Sequence, residues 1–255
     1  MNHDLFNDDL LQDDLFAEPQ EAPSFGKYPC QPHPSGQGYI IDLPDGELIY
    51  VPKFIDKKVA DRTMQVLLSN PQYDPATTDW HTVENFDAIQ FDTIQWKQDH
   101  MTMFGNRNAL PRLTAWYGDA DKNYTYSGIQ SYPNTWNTPL LWLKQQLEDF
   151  SQARFNSVLL NWYRDGKDHL SWHDDAEKEL GKNPVIGSLN FGESRRFLLR
   201  RKSDHQDKIE ILLGHGDLLI MGGSLQEYWQ HSVPKQAKVK SSRINLTFRF
   251  IHSVA

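Results

Sequence analysis

The sequence predicts a mainly β fold with supporting helices, and three stretches carry that prediction. Arg243-Ile244-Asn245-Leu246-Thr247-Phe248-Arg249-Phe250 alternates strictly, with Arg243, Asn245, Thr247 and Arg249 on one face and Ile244, Leu246, Phe248 and Phe250 on the other. That is the period of a strand with two different faces. Phe155 to Tyr163 alternates in part and reads as a core strand that puts Asn161 and Tyr163 on one face. Leu218 to Met221 is a short apolar run entered through the turn Gly214-His215-Gly216-Asp217, again a core strand. A chain of 255 residues can bury a large core and is within the range of one domain.

The N-terminus differs from this body. Seven acids (Asp4, Asp8, Asp9, Asp13, Asp14, Glu18 and Glu21) and no Lys or Arg fall within residues 1–26, so most of the formal net charge of −8 sits there. The rest is close to neutral, which neither excludes nor favours a polyanionic partner. A disordered acidic tail is expected over residues 1–36, ending among Pro29, Pro32, Pro34 and Gly36. The single Cys30 rules out an intrachain disulfide and suits a reducing compartment. No basic region with an apolar run opens the chain, so no signal peptide is expected. No stretch reaches the length of a membrane span. A cytoplasmic monomer follows as the expectation, or a nuclear one in a eukaryote.

Residues 37–154 read as an extension to the catalytic unit. Short strands are expected at 39–43 and 47–51 around Pro44-Asp45-Gly46, and a helix over 52–70 that backs the main sheet. Further strands are expected over 80–97, with alternation around Phe91 to Trp96. Met101 to Asn106 reads as a hairpin tip presenting Met103 and Phe104 as a wedge, or else as a buried loop anchor. Trp116, Tyr117, Tyr124 and Tyr126 form an aromatic set that suits stacking on a flat heterocycle, or the packing of a core strand. Pro139 to Phe150 is expected to be an amphipathic helix with Leu140, Leu141, Leu143, Leu147 and Phe150 inside and Glu148-Asp149 on its polar side.

Residues 155–255 carry the chemistry. His173 and Asp175 are two apart, so on an extended segment both leave the same face, and His231 lies in a later strand-like stretch. Two imidazoles and a carboxylate can form a facial triad that leaves about three octahedral positions open on a metal such as Fe(II). A surface His beside acids is the bland alternative. Two arginines and an amide pointing inward on a core strand are costly unless an anion neutralises them, as a small dicarboxylate would by bidentate pairing. Pro184 to Phe191 and Phe197 to Arg201 read as a strand pair joined at Gly192-Glu193. Arg195, Arg196, Arg200, Arg201 and Lys202 gather near it as a phosphate-contact patch, or as a merely solvated face. Lys235, Lys238 and Lys240 offer a second contact.

Together these residues resemble the AlkB-type Fe(II)/2-oxoglutarate-dependent dioxygenases, nearest their nucleic-acid repair branch. The resemblance rests on Asn161-x-Tyr163, His173-x-Asp175, His231-Ser232-Val233-Pro234 and Arg243-x-Asn245-x-Thr247-Phe248-Arg249. It extends upstream to Ala115-Trp116-Tyr117-Gly118-Asp119 and Tyr124-Thr125-Tyr126-Ser127-Gly128. It implies a double-stranded β-helix, or jelly roll, with the metal between its sheets. It also implies Fe(II) on His173, Asp175 and His231, with 2-oxoglutarate held by Asn161, Tyr163, Arg243, Asn245 and Arg249, and O2 as second co-substrate. His215, a rival ligand on its glycine-flanked turn, lies outside this pattern. By the same resemblance Tyr117 and Tyr126 line a base pocket, Glu177 accepts from a base amino group, and Phe104-Gly105 matches the tip of a finger that fills the gap left by a flipped base. Gln12-Asp13-Asp14-Leu15-Phe16 resembles the short peptide by which bacterial repair proteins dock on the sliding clamp.

The implied reaction is oxidative demethylation of 1-methyladenine and 3-methylcytosine in DNA, a direct reversal repair coupled to decarboxylation of 2-oxoglutarate. RNA or a protein side chain as substrate, or a non-catalytic nucleic-acid-binding relative, remains the alternative, because the triad and arginines do not select the substrate.

Overall fold

A computed structural model describes residues 25–80, 82–103, 106–120, 124–126 and 129–252, with the side chains of 101–107 and 121–131 left aside. In chain order the elements begin with β1 (Cys30–Pro32), β2 (Tyr39–Leu43), β3 (Gly46–Val51) and α1 (Lys57–Leu68). Next come β4 (His100–Met103), β5 (Asn106–Ala109), β6 (Leu113–Gly118), β7 (Tyr124–Tyr126), β8 (Ile129–Ser131), β9 (Asn134–Thr135) and α2 (Thr138–Ser151). The C-terminal half follows as β10 (Ser157–Tyr163), β11 (Leu170–His173), β12 (Ile186–Gly192), β13 (Arg195–Arg201), β14 (Lys208–Leu213) and β15 (Leu218–Gly222). The one-turn α3 (Leu225–Tyr228), β16 (Trp229–Val233) and β17 (Arg243–Arg249) complete it.

The strands of that half alternate between two sheets, except that β13 and β14 pair as neighbours in one of them. The major sheet runs β1-β2-β3-β15-β12-β17-β10-β6-β9 and the minor sheet β11-β16-β13-β14. This is the expected double-stranded β-helix. β17 lies inside the major sheet, antiparallel to β10 with Asn245 opposite Asn161, and to β12 with Asn245 opposite Asn190. The alternation of β17 sorts two interiors. Ile244, Leu246 and Phe248 join the core under the helices, with Val158, Leu160, Trp162, Leu140 and Leu143. Arg243, Asn245 and Thr247 face the space between the sheets, whose apolar part holds Phe197, Leu199, Ile209, Ile211, Leu219 and Met221.

Both expected helices form, and their caps explain their bounds. Asp56 accepts from Lys58 N at 2.8 Å and starts α1, so Phe54 and Ile55 pack ahead of the helix rather than within it. Asn137 accepts from Leu140 N at 3.1 Å, Pro139 fits the first turn, and Gln152 ends α2 in the left-handed region at φ 54°. Two details of the α2 face are reversed. Leu141 is 47% exposed, while Glu148 is buried, accepting from Phe155 N at 2.7 Å and pairing with Lys144 and Arg154.

Three other expectations are corrected. Among the described residues of 80–97 the expected strands do not form; the stretch is irregular, with a short 3-10 turn at Phe86–Ala88. Trp80, Phe86, Phe91 and Trp96 bury one by one around Trp162, with ring centroids 4.8–5.8 Å from it. The backbone there is satisfied by side chains instead of a ladder: Gln95 N donates to Tyr117 Oη, and Asn137 Nδ2 to Thr93 O. β12 and β13 do not pair with each other. Gly192, at φ 86°, lies so near Ser242 O that a Cβ would meet it at 2.3 Å, and the chain crosses there from one sheet to the other. The ordered fold also starts well before residue 37, since Phe25 is buried beside Tyr50 and β1 pairs with β2. Residues 12–16, which carry the clamp-like peptide, lie outside the described residues.

Trp162 organises the outer core, fully buried within four aromatic rings, its Nε1 donating to Ser242 Oγ at 3.0 Å. Truncation to Ala is expected to destabilise the metal-free protein by about 3–5 kcal/mol, the range for a large buried ring. Urea unfolding of Trp162→Ala would measure it, and a loss under 1 kcal/mol would contradict this packing.

Candidate active site

β11 and β16 lie side by side in the minor sheet with His173 directly opposite His231. Their ring centroids are 4.1 Å apart, and Phe197 stacks on His231 from the other side at 5.3 Å. Asp175 follows the end of β11, and one ligand atom from each of His173, Asp175 and His231 lies within 4.8 Å of the others. His173 Nδ1 sits 2.9 Å from Ser171 O, which leaves Nε2 as the ligating nitrogen.

The electrostatics favour a cation here. Asp175 is 2% exposed; Arg249 Nη2 donates to its Oδ1 at 2.5 Å. Its Oδ2 is buried, accepts no hydrogen bond, and lies 3.7 Å from His231 Nε2. Burial opposes ionisation of Asp175, but Arg249, His231 and His173 outweigh it and hold the carboxyl below its ordinary range. Burial, then the charge of His173, pushes His231 down to about 3, so its imidazole is neutral and available as a ligand at physiological pH.

Beside this trio opens a cavity of about 610 Å³, running from Arg243, Asn245, Thr247, Ser188 and Asn161 outward to Trp116, Tyr132, Asn134 and Glu177. Arg243 is fully buried; Nη2 donates to Asn190 Oδ1, but Nε and Nη1 have no acceptor among the described residues. Desolvation lowers its pKa to about 10, still far above neutrality. A buried guanidinium with two idle donors is a seat for a carboxylate. Tyr163 lies against it, 5.1 Å from ring centroid to guanidinium. Asn161 Oδ1 accepts from Arg112 Nε at 2.8 Å, and Asn245 donates to Ser188 Oγ at 2.8 Å.

Residues 47–249 match the family model described as the 2OG-Fe(II) oxygenase superfamily. The chain belongs to that superfamily. It is 36% identical over 249 residues to bovine alpha-ketoglutarate-dependent dioxygenase alkB homolog 3, covering 93% of this chain and 78% of that protein. It is 37% identical over 156 residues to human DNA oxidative demethylase ALKBH2, covering 58% of this chain and 60% of that protein. Aligned stretches span 56–78% of the length of the mammalian alkB homolog 3 proteins. The solved structure of OsALKBH1 superposes with a TM-score of 0.51 over 83% of this chain and 99% of that one; at 16% identity this shows a shared fold.

This superfamily member is thus an AlkB-type dioxygenase that uses Fe(II), 2-oxoglutarate and O2. Its donor set fits: two imidazoles and one carboxylate oxygen within reach of one another, with the two unpartnered donors of Arg243 on the same cavity. Glu177 also faces the cavity, with Oε2 buried and unpartnered among the described residues. Arg112, 6% exposed on the cavity wall, was not singled out from sequence; as one arginine ahead of a strand it carries no period.

Other expected site residues sit elsewhere. Tyr117 is a core residue 3% exposed, its hydroxyl bridging the backbone of Gln95 and Thr93, while its neighbour Trp116 lines the cavity. One step along a strand reverses the face. Arg195 is wholly buried and donates to Asp165 O, Asp168 O, Pro234 O and Gln236 Oε1, so it staples loops and cannot reach a phosphate. Arg196 is paired with Glu210 and Arg201 with Asp45, and Arg200 lies 4.2 Å over Trp172 and donates to Gln230. Phe104 lies outside the described residues, between β4 and β5, which pair with Met103 opposite Asn106. The side chain of Tyr126 on β7 is likewise outside them.

The depressed pKa of His231 makes a stability prediction. The unfolded imidazole titrates near 6.5 and the folded one at about 3, so the unfolded chain takes up the proton first. The contribution is full above 6.5 and is lost as pH falls toward 3. Metal-free protein should therefore lose melting temperature steadily over that window, and His231→Asn should lose less; parallel curves for the two would refute the assignment.

Proposed function

We propose that the protein removes N-methyl groups from bases in DNA, 1-methyladenine and 3-methylcytosine being the substrates of choice. The observation that carries this is the outer half of the cavity. Beside the ligand trio, an aromatic wall and the half-buried Glu177, whose Oε2 is buried and unpartnered among the described residues, suit a flat ring bearing an amino group, which both bases have. A relative whose name is DNA oxidative demethylase, 37% identical over the matched region, supports the same substrate class.

In this reading His173, Asp175 and His231 hold Fe(II), and Arg243 binds a 2-oxoglutarate carboxylate through Nε and Nη1. Arg249 keeps Asp175 ionised and occupies its Oδ1, so that Oδ2 is the ligating atom. Bound Fe(II), with O2 and 2-oxoglutarate, supplies the oxidation that inserts one oxygen atom into a methyl C–H bond and leaves succinate and CO2. The hydroxymethyl group then leaves as formaldehyde, because the restored neutral base is a good leaving group. Glu177 accepts from the exocyclic amino group and orients the ring. No protein nucleophile is required.

The polyanion would be held elsewhere than at the arginine hairpin. Gly166 and the 236–239 loop are zipped by Gly166 N to Val239 O at 3.1 Å and Gln236 N to Gly166 O at 2.8 Å. This sets exposed Lys167 beside Lys235, Lys238 and Lys240, none of which has an ion-pair partner among the described residues. Such free lysines are the best phosphate contacts on this face.

The test is formaldehyde release from matched single- and double-stranded oligonucleotides carrying 3-methylcytosine, beside an RNA of the same sequence, with Fe(II), 2-oxoglutarate and O2. Turnover on DNA is expected, and Glu177→Ala should lower kcat/KM by roughly 10–100-fold, the value of a hydrogen bond to a charged group. Activity confined to RNA would reassign the substrate, and no release from any of them would end the methyl-base reading.

A further inference from the structure

Asp175 lies past the end of β11, so no strand ladder fixes its backbone. Arg249 fixes one carboxylate oxygen, but a carboxylate turns with the chain that carries it. The backbone is held from another element. Asp175 N donates to Gln226 Oε1 at 2.9 Å, and Gln226 is 3% exposed on α3, directly ahead of the strand that bears His231. The amide is held in turn, with Nε2 on Met221 Sδ at 3.8 Å, and Met221 is part of the cavity wall. Lys202, just past β13, grips the same place from outside: its Nζ donates to Gln226 O at 2.8 Å and pairs with Asp174 at 2.9 Å.

We propose that Gln226, steadied by Lys202, is a positioning residue that sets Asp175 for metal binding. The inference rests on His173, Asp175 and His231 being the ligands. It makes α3 and β16 a single device, with His231 offered as a ligand and the group that aims Asp175 supplied one turn earlier. Outer hydrogen bonds of this kind orient ligands and govern affinity. Leu at 226 keeps the volume but leaves the Asp175 amide buried without an acceptor, whereas Glu retains an acceptor oxygen for it.

The experiment titrates Co(II) alone into the metal-free full-length chain, followed by its visible absorption bands and by calorimetry. Gln226→Leu is expected to weaken Co(II) by about 10–100-fold and to change the band pattern. Gln226→Glu should bind close to wild type. Leu213→Ala, a core truncation two strands from β16, should lower the melting temperature and leave Co(II) affinity alone. Wild-type affinity and spectrum in Gln226→Leu would overturn the proposal. So would an equal loss in Leu213→Ala, since the effect would then belong to general stability. Should Gln226→Leu not fold, Lys202→Met is expected to weaken Co(II) several-fold, and unchanged affinity there would overturn it as well. A wild-type chain that binds no Co(II) would instead sink the metal-site reading beneath.

Discussion

The ion pair of Arg249 and Asp175 is the contact on which the site depends. Arg249 ends an inner strand of the major sheet, and Asp175 follows the edge strand of the minor sheet, so the pair ties the two layers together beside His173 and His231. Only because Arg249 fills Oδ1 is Oδ2 left as a single buried acceptor beside two imidazoles. A buried pair is weak support for stability in itself, since desolvation cancels much of the attraction. Its use here is orientation: it fixes which oxygen stays unpaired beside the imidazoles and keeps the carboxyl ionised.

Buried arginines in this protein fall into two kinds, and the difference is whether their donors are spent. Arg195 and Arg243 both lie against Tyr163, with guanidinium-to-ring distances of 5.6 and 5.1 Å. Both are desolvated, and burial lowers both. Arg195 spends its donors on three carbonyls and an amide oxygen and so is structural. Arg243 spends one on Asn190 and keeps two without partners among the described residues, and burying such donors is costly unless an acceptor meets them. The same test separates Glu148, fully engaged in the outer core, from Glu177 with its idle oxygen.

Much of the site was legible because it obeys the strand period. The alternation of residues 243–250 put Arg243, Asn245, Thr247 and Arg249 on one face, and the structure places all four on the cavity. The spacing of His173 and Asp175 anticipated a shared face, although Asp175 reaches it from a loop beyond β11 and not from the strand. What failed was reading by residue type without period or partner. Tyr117 looked like a base-stacking ring, but its face belongs to the core. The arginines of 195–201 looked like a phosphate patch, yet their partners Glu210, Asp45 and the loop carbonyls are distant in sequence. Residues 80–97 looked like strands because their aromatics recur; they recur to surround Trp162.

By itself the sequence determined the periods: which residues of β10, β15 and β17 face inward, that two helices form near 52–70 and 139–150, and which side chains could ligate a metal. Local sterics and hydrogen bonding suffice for those. Only the tertiary structure decided which charges are neutralised and which are free, that β12 and β13 part into separate sheets, and that Gln226 stands behind Asp175. Those depend on contacts between residues far apart in the chain, where the energy of a group is set by the partner that folding brings to it.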